Sequence, residues 1–178
     1  MTGHVPCVDE LACTSMLVDD PDQVDDSRLI FFLNYWRQKR GEARLPLRKS
    51  FVPQEVRGNL PWVIVADALP DYTDFRFRVV GSEISQYFLA DGVGKTVREA
   101  FARTDGPLAD AMLLLYWRAC FKRMPLRLTG PAGLYNDFFH PGFDAIFLPY
   151  SSDGELADRI VNIFTFNHVK PGGARSAD

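Results

Sequence analysis

DFRFRVVGSEISQYFLADGVGKTVREA, residues 74–100, admits two readings that lead to different folds. Its Gly94-Lys95-Thr96 triplet also ends the phosphate-binding loop of nucleotide hydrolases. That loop needs a leading glycine, four spacers and Gly-Lys-Ser/Thr, so that backbone N–H groups turn inward around the phosphates. It also follows a buried strand and opens a long helix. Here the leading position is Leu89, and the residues before it, SEISQYFLA, set a Ser and a Glu ahead of Ile84, Tyr87 and Phe88. That is the pattern of a short capped helix, not a strand. Upstream, Phe75, Phe77 and Val79 alternate with Arg76, Arg78 and Val80, the period of a half-exposed strand. Downstream, Thr96 and Glu99 make a capping box for a second short helix reaching to about Arg103. The stretch therefore reads as strand, short helix, glycine turn and short helix.

On the N-terminal side, SRLIFFLNYWRQKRG predicts an amphipathic helix over residues 27–41, capped by Ser27 and stopped at Gly41. Leu29, Phe32, Leu33 and Trp36 form its apolar stripe, and Ile30, Phe31 and Tyr35 add apolar surface beside it. Trp62–Val65 reads as a strand that pairs with 75–80 through the turn LPDYTD. On the C-terminal side, Pro107 opens an apolar helix that Pro125 ends. Three strand candidates follow, in LRLTG, FDAIFLPYS and ADRIVNIFTF, the last two joined by Ser152-Asp153-Gly154. The order is helix, two strands, three helices, three strands.

The whole chain sets outer bounds. At 178 residues, 47% of them hydrophobic and with a net charge of −3, it is long and apolar enough for one globular domain with a real core. No apolar run approaches the roughly 20 residues needed to span a bilayer, and the N-terminus lacks the basic start and apolar stretch of a secretory signal. A cytoplasmic protein without membrane association is expected. Cys7, Cys13 and Cys120 are too few and too irregular for a disulfide framework, and His4, His140 and His168 complete no metal spacing. Residues 1–26 carry seven acids and no Lys or Arg, and are read as a flexible acidic tail with at most a weakly ordered turn. Residues 28–50 reverse the sign, with seven basic residues against Glu42 alone, so the tail could lie over the basic 37–49 segment. Residues 170–178 are read as a disordered C-terminal tail.

A two-strand hairpin, a helix cluster and a three-strand meander is the order of a PAS domain. Local motifs sharpen the match. YWRQKRGEARLPLRKSFVPQEV, NLPWVIVAD, DFRFRVVGSEISQYFLADGVGKTVREA and LPYSSDG are together similar to those of stand-alone proteobacterial PAS-like proteins. Val52 departs from that pattern, which has Asp before the proline. The resemblance covers residues 28–168. It implies an α+β PAS fold over residues 42–169, a five-stranded antiparallel sheet with helices on one face, flanked by the 27–41 helix. It also makes Gly94-Lys95-Thr96 a turn between two helices.

What the resemblance implies for function is sensing or protein interaction without catalysis. Trp62, Phe77, Tyr87, Phe88, Phe101, Leu114, Trp117, Leu128 and Phe147 are the residues that would line a ligand cavity, or simply fill the core. A flavin photoreceptor needs a reactive cysteine in a context that Cys120 lacks, and a haem sensor needs a helical axial ligand that neither His140 nor His168 supplies. The cofactor expectation is therefore none, or an unidentified small ligand. The 27–41 helix, through Leu29, Ile30, Phe32, Leu33 and Trp36, either packs on its own sheet or forms a homodimer. The expected partners are a second copy and a signalling protein such as a histidine kinase or a cyclic-dinucleotide enzyme. The alternatives are a ligand-free structural adaptor and a nucleic-acid-binding regulator using residues 37–49. The acidic balance and the lack of a helix-turn-helix or zinc pattern argue against the second of these.

Overall fold

The structure is a computed structural model that describes residues 13–87, 89–102, 108–130 and 142–166, with the Tyr87 side chain outside the description. Its elements are β1 (Thr14–Leu17), α1 (Ser27–Arg40), β2 (Val63–Ala68), β3 (Phe75–Val80), α2 (Ser82–Tyr87), α3 (Val97–Ala100), α4 (Leu108–Lys122), β4 (Leu126–Gly130), β5 (Phe143–Ser151) and β6 (Ala157–Phe166). The strands form one antiparallel sheet in the order β1-β4-β5-β6-β2-β3. Five of the six are the expected hairpin and meander. The sixth is β1, so the expectation of a five-stranded sheet and a flexible tail over 1–26 is corrected for the described part of that tail.

The reason β1 escapes the sequence is its length. Four residues with alternate exposure give almost no periodic signal. Their order comes from partners far along the chain. Thr14–Leu17 pairs with Leu126–Thr129, the Arg118 guanidinium donates to Ser15 Oγ at 2.8 Å, and Val18 N donates to the Pro125 carbonyl at 2.9 Å. Covering the open edge of β4 also removes an aggregation-prone strand edge. Asp20 then caps the short turn Pro21–Gln23 in a capping box with Gln23.

Helix α1 begins one residue earlier than the Ser27 cap anticipates. Asp26 Oδ1 accepts from the amides of Arg28 at 2.8 Å and Leu29 at 3.2 Å, satisfying two donors of the first turn. Arg37, Lys39 and Arg40 fall in the last turn, where the carbonyl end of the helix dipole favours cations, and Gly41 closes it at φ 56°. The stripe Leu29, Phe32, Leu33 and Trp36 is buried, together with Tyr35. It packs on β5 and β6 of its own sheet, with Trp36 Nε1 donating to the Pro149 carbonyl at 2.7 Å. Of the two dispositions open to α1, its apolar stripe is therefore spent within the fold.

The connection from α1 to β2 is held from the helix. Tyr35 Oη accepts from Val52 N at 2.9 Å and donates to Glu55 Oε2 at 2.7 Å, and Lys39 Nζ reaches the same carboxylate at 2.7 Å. Burial raises the Tyr35 phenol to about 12, while hydrogen bonds from Lys39 and Tyr35 hold Glu55 below the usual carboxylate range. Residues Pro53–Trp62 form a 3-10 helix, so Trp62 ends that turn and the strand starts at Val63.

Strand β3 differs from its alternating pattern at one point. Val65 pairs with Val79 but Ala66 pairs with Phe77, leaving Arg78 as an extra residue. The bulge reverses the alternation, so Phe75 and Phe77 are buried while Val79, expected on their face, is 43% exposed. The rest of the reading agrees where the residues are described, except that the second short helix ends at Ala100, capped by Phe101, short of the expected Arg103. Gly94 has φ 85°, a conformation that disfavours a Cβ, Lys95 is exposed, and Thr96 and Glu99 form the capping box that starts α3. Asp74, buried at the end of the hairpin turn, accepts from Val97 N and Arg98 N and ties that turn to the start of α3.

Candidate functional site

Alternation along β5 and β6 divides the sheet into two buried faces. Phe143, Ala145 and Phe147 point with Asn162 and Phe164 toward α4, whereas Ile146, Leu148, Tyr150, Val161 and Ile163 lie on the side of α1. The α4 side is an aromatic assembly. The Tyr116 ring, from the middle of α4, lies 4.8 Å from Phe75 and 5.5 Å from Phe147, which it meets edge-on. Phe164 lies 6.4 Å from Phe147 and 6.2 Å from Phe143.

One polar group interrupts this assembly. Asn162 is fully buried on β6, and Tyr116 Oη donates to its Oδ1 at 2.9 Å. Its Nδ2 has no hydrogen-bond partner among the described residues. Leaving such a donor unmet costs about 1–3 kcal/mol, so natural cores retain one only for a reason. The amide supplies N–H donors within a wall of phenyl rings. That arrangement suits a mostly apolar molecule with one hydrogen-bond acceptor.

The predicted cavity residues divide. Phe77, Phe101, Leu128 and Phe147 are buried, and Phe77, Leu128 and Phe147 come from strands of the α4 side. Leu114 and Trp117 are half-buried on α4, with Trp117 Nε1 fixed to the Tyr72 carbonyl at 2.7 Å. Trp62 lies elsewhere, under the Arg28 guanidinium at 4.4 Å and beside Phe166 at 6.1 Å. Phe88 and the Tyr87 side chain lie outside the described residues. Sequence reasoning missed Tyr116 and Asn162. The signal was present in IVNIF, where an Asn breaks an otherwise apolar strand.

On the α1 side, charge is concentrated around one carboxylate. Asp67 is 7% exposed and meets Arg159 Nε at 2.7 Å, Arg78 Nε at 2.9 Å and Arg48 Nη2 at 3.6 Å. Burial pushes its pKa up, but the hydrogen bonds and charges of Arg159, Arg48 and Arg78 outweigh this and hold it below the usual range. Arg48 also binds Asp158 at 2.7 Å, and Arg44 approaches Glu155 at 3.8 Å. Much of the basic 37–49 segment is thus paired with acids of the same fold, which leaves less of it for a nucleic acid. Three of the described acids of the tail are engaged: Asp20 and Asp26 cap helical turns, and Asp25 lies 3.7 Å from Arg127.

Cys13 and Cys120 are buried, and burial raises both thiols, Cys13 to about 11. Thiols so disfavoured as thiolates are poor nucleophiles. No group of three His, Cys, Asp or Glu suited to a metal occurs among the described residues, and none of their helices is long and apolar enough to cross a membrane. His4, Cys7, His140 and His168 lie outside the description.

A family model described as a PAS domain matches residues 24–119, from the approach to α1 to the last part of α4. No curated protein and no solved structure matches the chain.

Proposed function

The chain belongs to the PAS domain family, whose members serve sensing and signalling, and from that premise we propose a non-catalytic regulator gated by a small ligand in its interior. The observation that carries the reading is the buried Asn162 amide with its unpartnered Nδ2 inside the aromatic assembly. The ligand is a compact, largely apolar molecule whose carbonyl or similar acceptor takes an Asn162 N–H, with Phe147 and Phe77 among its walls.

The signal leaves through the sheet. Asn162 sits between Val161 and Ile163, which face the α1 side, so a displacement of β6 by a ligand is transmitted to the packing under α1. The output is protein–protein contact on the outer side of α1. There Phe31 is 41% exposed, with the Phe32 and Tyr35 rings 5.3 and 6.4 Å from it. A second copy, or a signalling protein such as a histidine kinase or a cyclic-dinucleotide enzyme, meets that side. Asp67, Glu55, Tyr35 and Arg127, four of the groups with displaced acidity, are engaged in pairs that join elements, which supports a non-enzymatic reading.

Native mass spectrometry of the gently purified protein tests the reading. The wild-type chain is expected to retain an added mass that Asn162→Leu loses, with the variant still folded. Wild-type protein with no added mass, even after incubation with cell extract, would instead favour the ligand-free adaptor.

A further inference from the structure

A cavity separate from the interior aromatic assembly opens where α1, the N-terminal segment and the turn between α4 and β4 meet. Its volume is about 270 Å³, and its walls are Asp19, Leu33, Trp36, Arg37, Arg40, Met124 and Pro125. None of the seven predicted ligand residues whose side chains are described borders it. The Arg40 guanidinium lies over the Trp36 ring at 5.2 Å, and its Nε is buried without a hydrogen-bond partner. Neither Arg37 nor Arg40 lies within ion-pairing distance of an acid among the described residues. The Asp19 carboxylate, in the same wall, also lacks a cationic partner among the described residues. The backbone bond from Val18 N to the Pro125 carbonyl holds the Asp19 side of the cavity against the α4–β4 turn.

Two guanidiniums and one carboxylate that share a cavity without pairing with each other define a charge pattern for an occupant. A simple anion would satisfy the arginines and be repelled by Asp19. A simple cation would do the reverse, and worse, against two positive groups. The complement is a compact molecule with two anionic groups and one cationic donor, small enough for the space. We propose that this cavity binds an acidic amino acid, its two carboxylates on Arg37 and Arg40 and its ammonium on Asp19. Arginine suits such a site because its planar fork meets a carboxylate through two parallel N–H donors. The bound molecule bridges Asp19 to α1 and so fastens the N-terminal segment against the helix. This site is independent of the interior ligand.

Isothermal titration of the full chain with L-glutamate and L-aspartate tests the assignment, with glutarate as the dicarboxylate that lacks the ammonium. Binding of at least one amino acid is expected, and Arg40→Gln and Arg37→Gln should each weaken it about tenfold or more. Asp19→Asn should weaken the amino acid by a similar factor while leaving glutarate unchanged or tighter. Arg44→Gln, whose partner is Glu155 outside the cavity, serves as the control and should leave the affinity unchanged. Equal binding of glutarate and glutamate, insensitive to Asp19→Asn, would reduce the site to a plain anion site and overturn the proposal. So would no heat from either amino acid at about 10 mM, a concentration well above any useful affinity for a small ligand. Circular dichroism of each variant separates lost binding from lost fold.

Discussion

Trp36 Nε1 donates to the Pro149 carbonyl at 2.7 Å, a bond that joins the flanking helix to the middle of the sheet across 113 positions of sequence. Both partners are buried, so the bond has no water to replace it. Trp36→Phe keeps most of the apolar contact but strands the carbonyl, and is expected to cost about 1–3 kcal/mol. Trp36→Ala also empties the site beneath α1 and should cost roughly 3–5 kcal/mol. Urea unfolding of the two variants measures both, and equal small losses would mean that α1 is not docked on the sheet as described.

The Tyr116–Asn162 pair makes a prediction through its asymmetry. Tyr116→Phe leaves Asn162 Oδ1 without its donor and should destabilise by about 1–3 kcal/mol. Tyr116→Phe with Asn162→Leu removes both polar groups and should recover most of that loss. A double-mutant cycle reads the coupling. If the double variant lost the sum of the single losses, the two side chains would not be acting as a pair.

Asp67 sets an acid limit on stability. Its pKa in the folded state lies below that of an unfolded aspartate, about 3.9. Its contribution is therefore complete above that unfolded value and is lost as pH falls through the lower folded value. Asp67→Asn keeps the shape but leaves Arg159, Arg78 and Arg48 without their common carboxylate, so it should destabilise strongly near neutrality, by about 3–5 kcal/mol. It should also flatten the fall in stability below about pH 4. Thermal unfolding of both proteins from pH 7 to pH 3 tests the sign and the window.

The Gly-Lys-Thr turn separates punctuation from chemistry. Gly94→Ala forces a Cβ into φ 85° and should cost about 1 kcal/mol or slightly more. Lys95→Ala, at an exposed position, should stay within about 0.5 kcal/mol of wild type. Neither the wild-type chain nor the Lys95 variant should bind ATP or GTP. Lysine-dependent nucleotide binding in a fluorescence titration would reverse the reading of this stretch.

Phe31 is the exposed aromatic of α1, and Phe31→Ser removes apolar surface without touching the buried stripe. Its effect on stability should be within about 0.5 kcal/mol. If a dimer forms through this side, analytical ultracentrifugation should record a shift toward monomer for the variant.

How much of this was legible in the sequence follows from which forces are local. The stripe of α1, the Thr96–Glu99 box, the Gly94 turn and the last hairpin depend on periodicity, caps and backbone freedom within a few residues. Sequence by itself determined those elements and, through their order, the fold. Tertiary structure decided the rest. Strand β1 exists because the edge of β4, more than a hundred residues away, pairs with it. Val79 faces out because a bulge, set by pairing with β2, shifts the register by one residue. Asp67 becomes an ionic centre, and Asn162 and Tyr116 become partners, only when strands and helices from distant segments converge. A sequence records the identities of such groups, but the contact that gives each its chemistry is non-local, and closing the chain creates it.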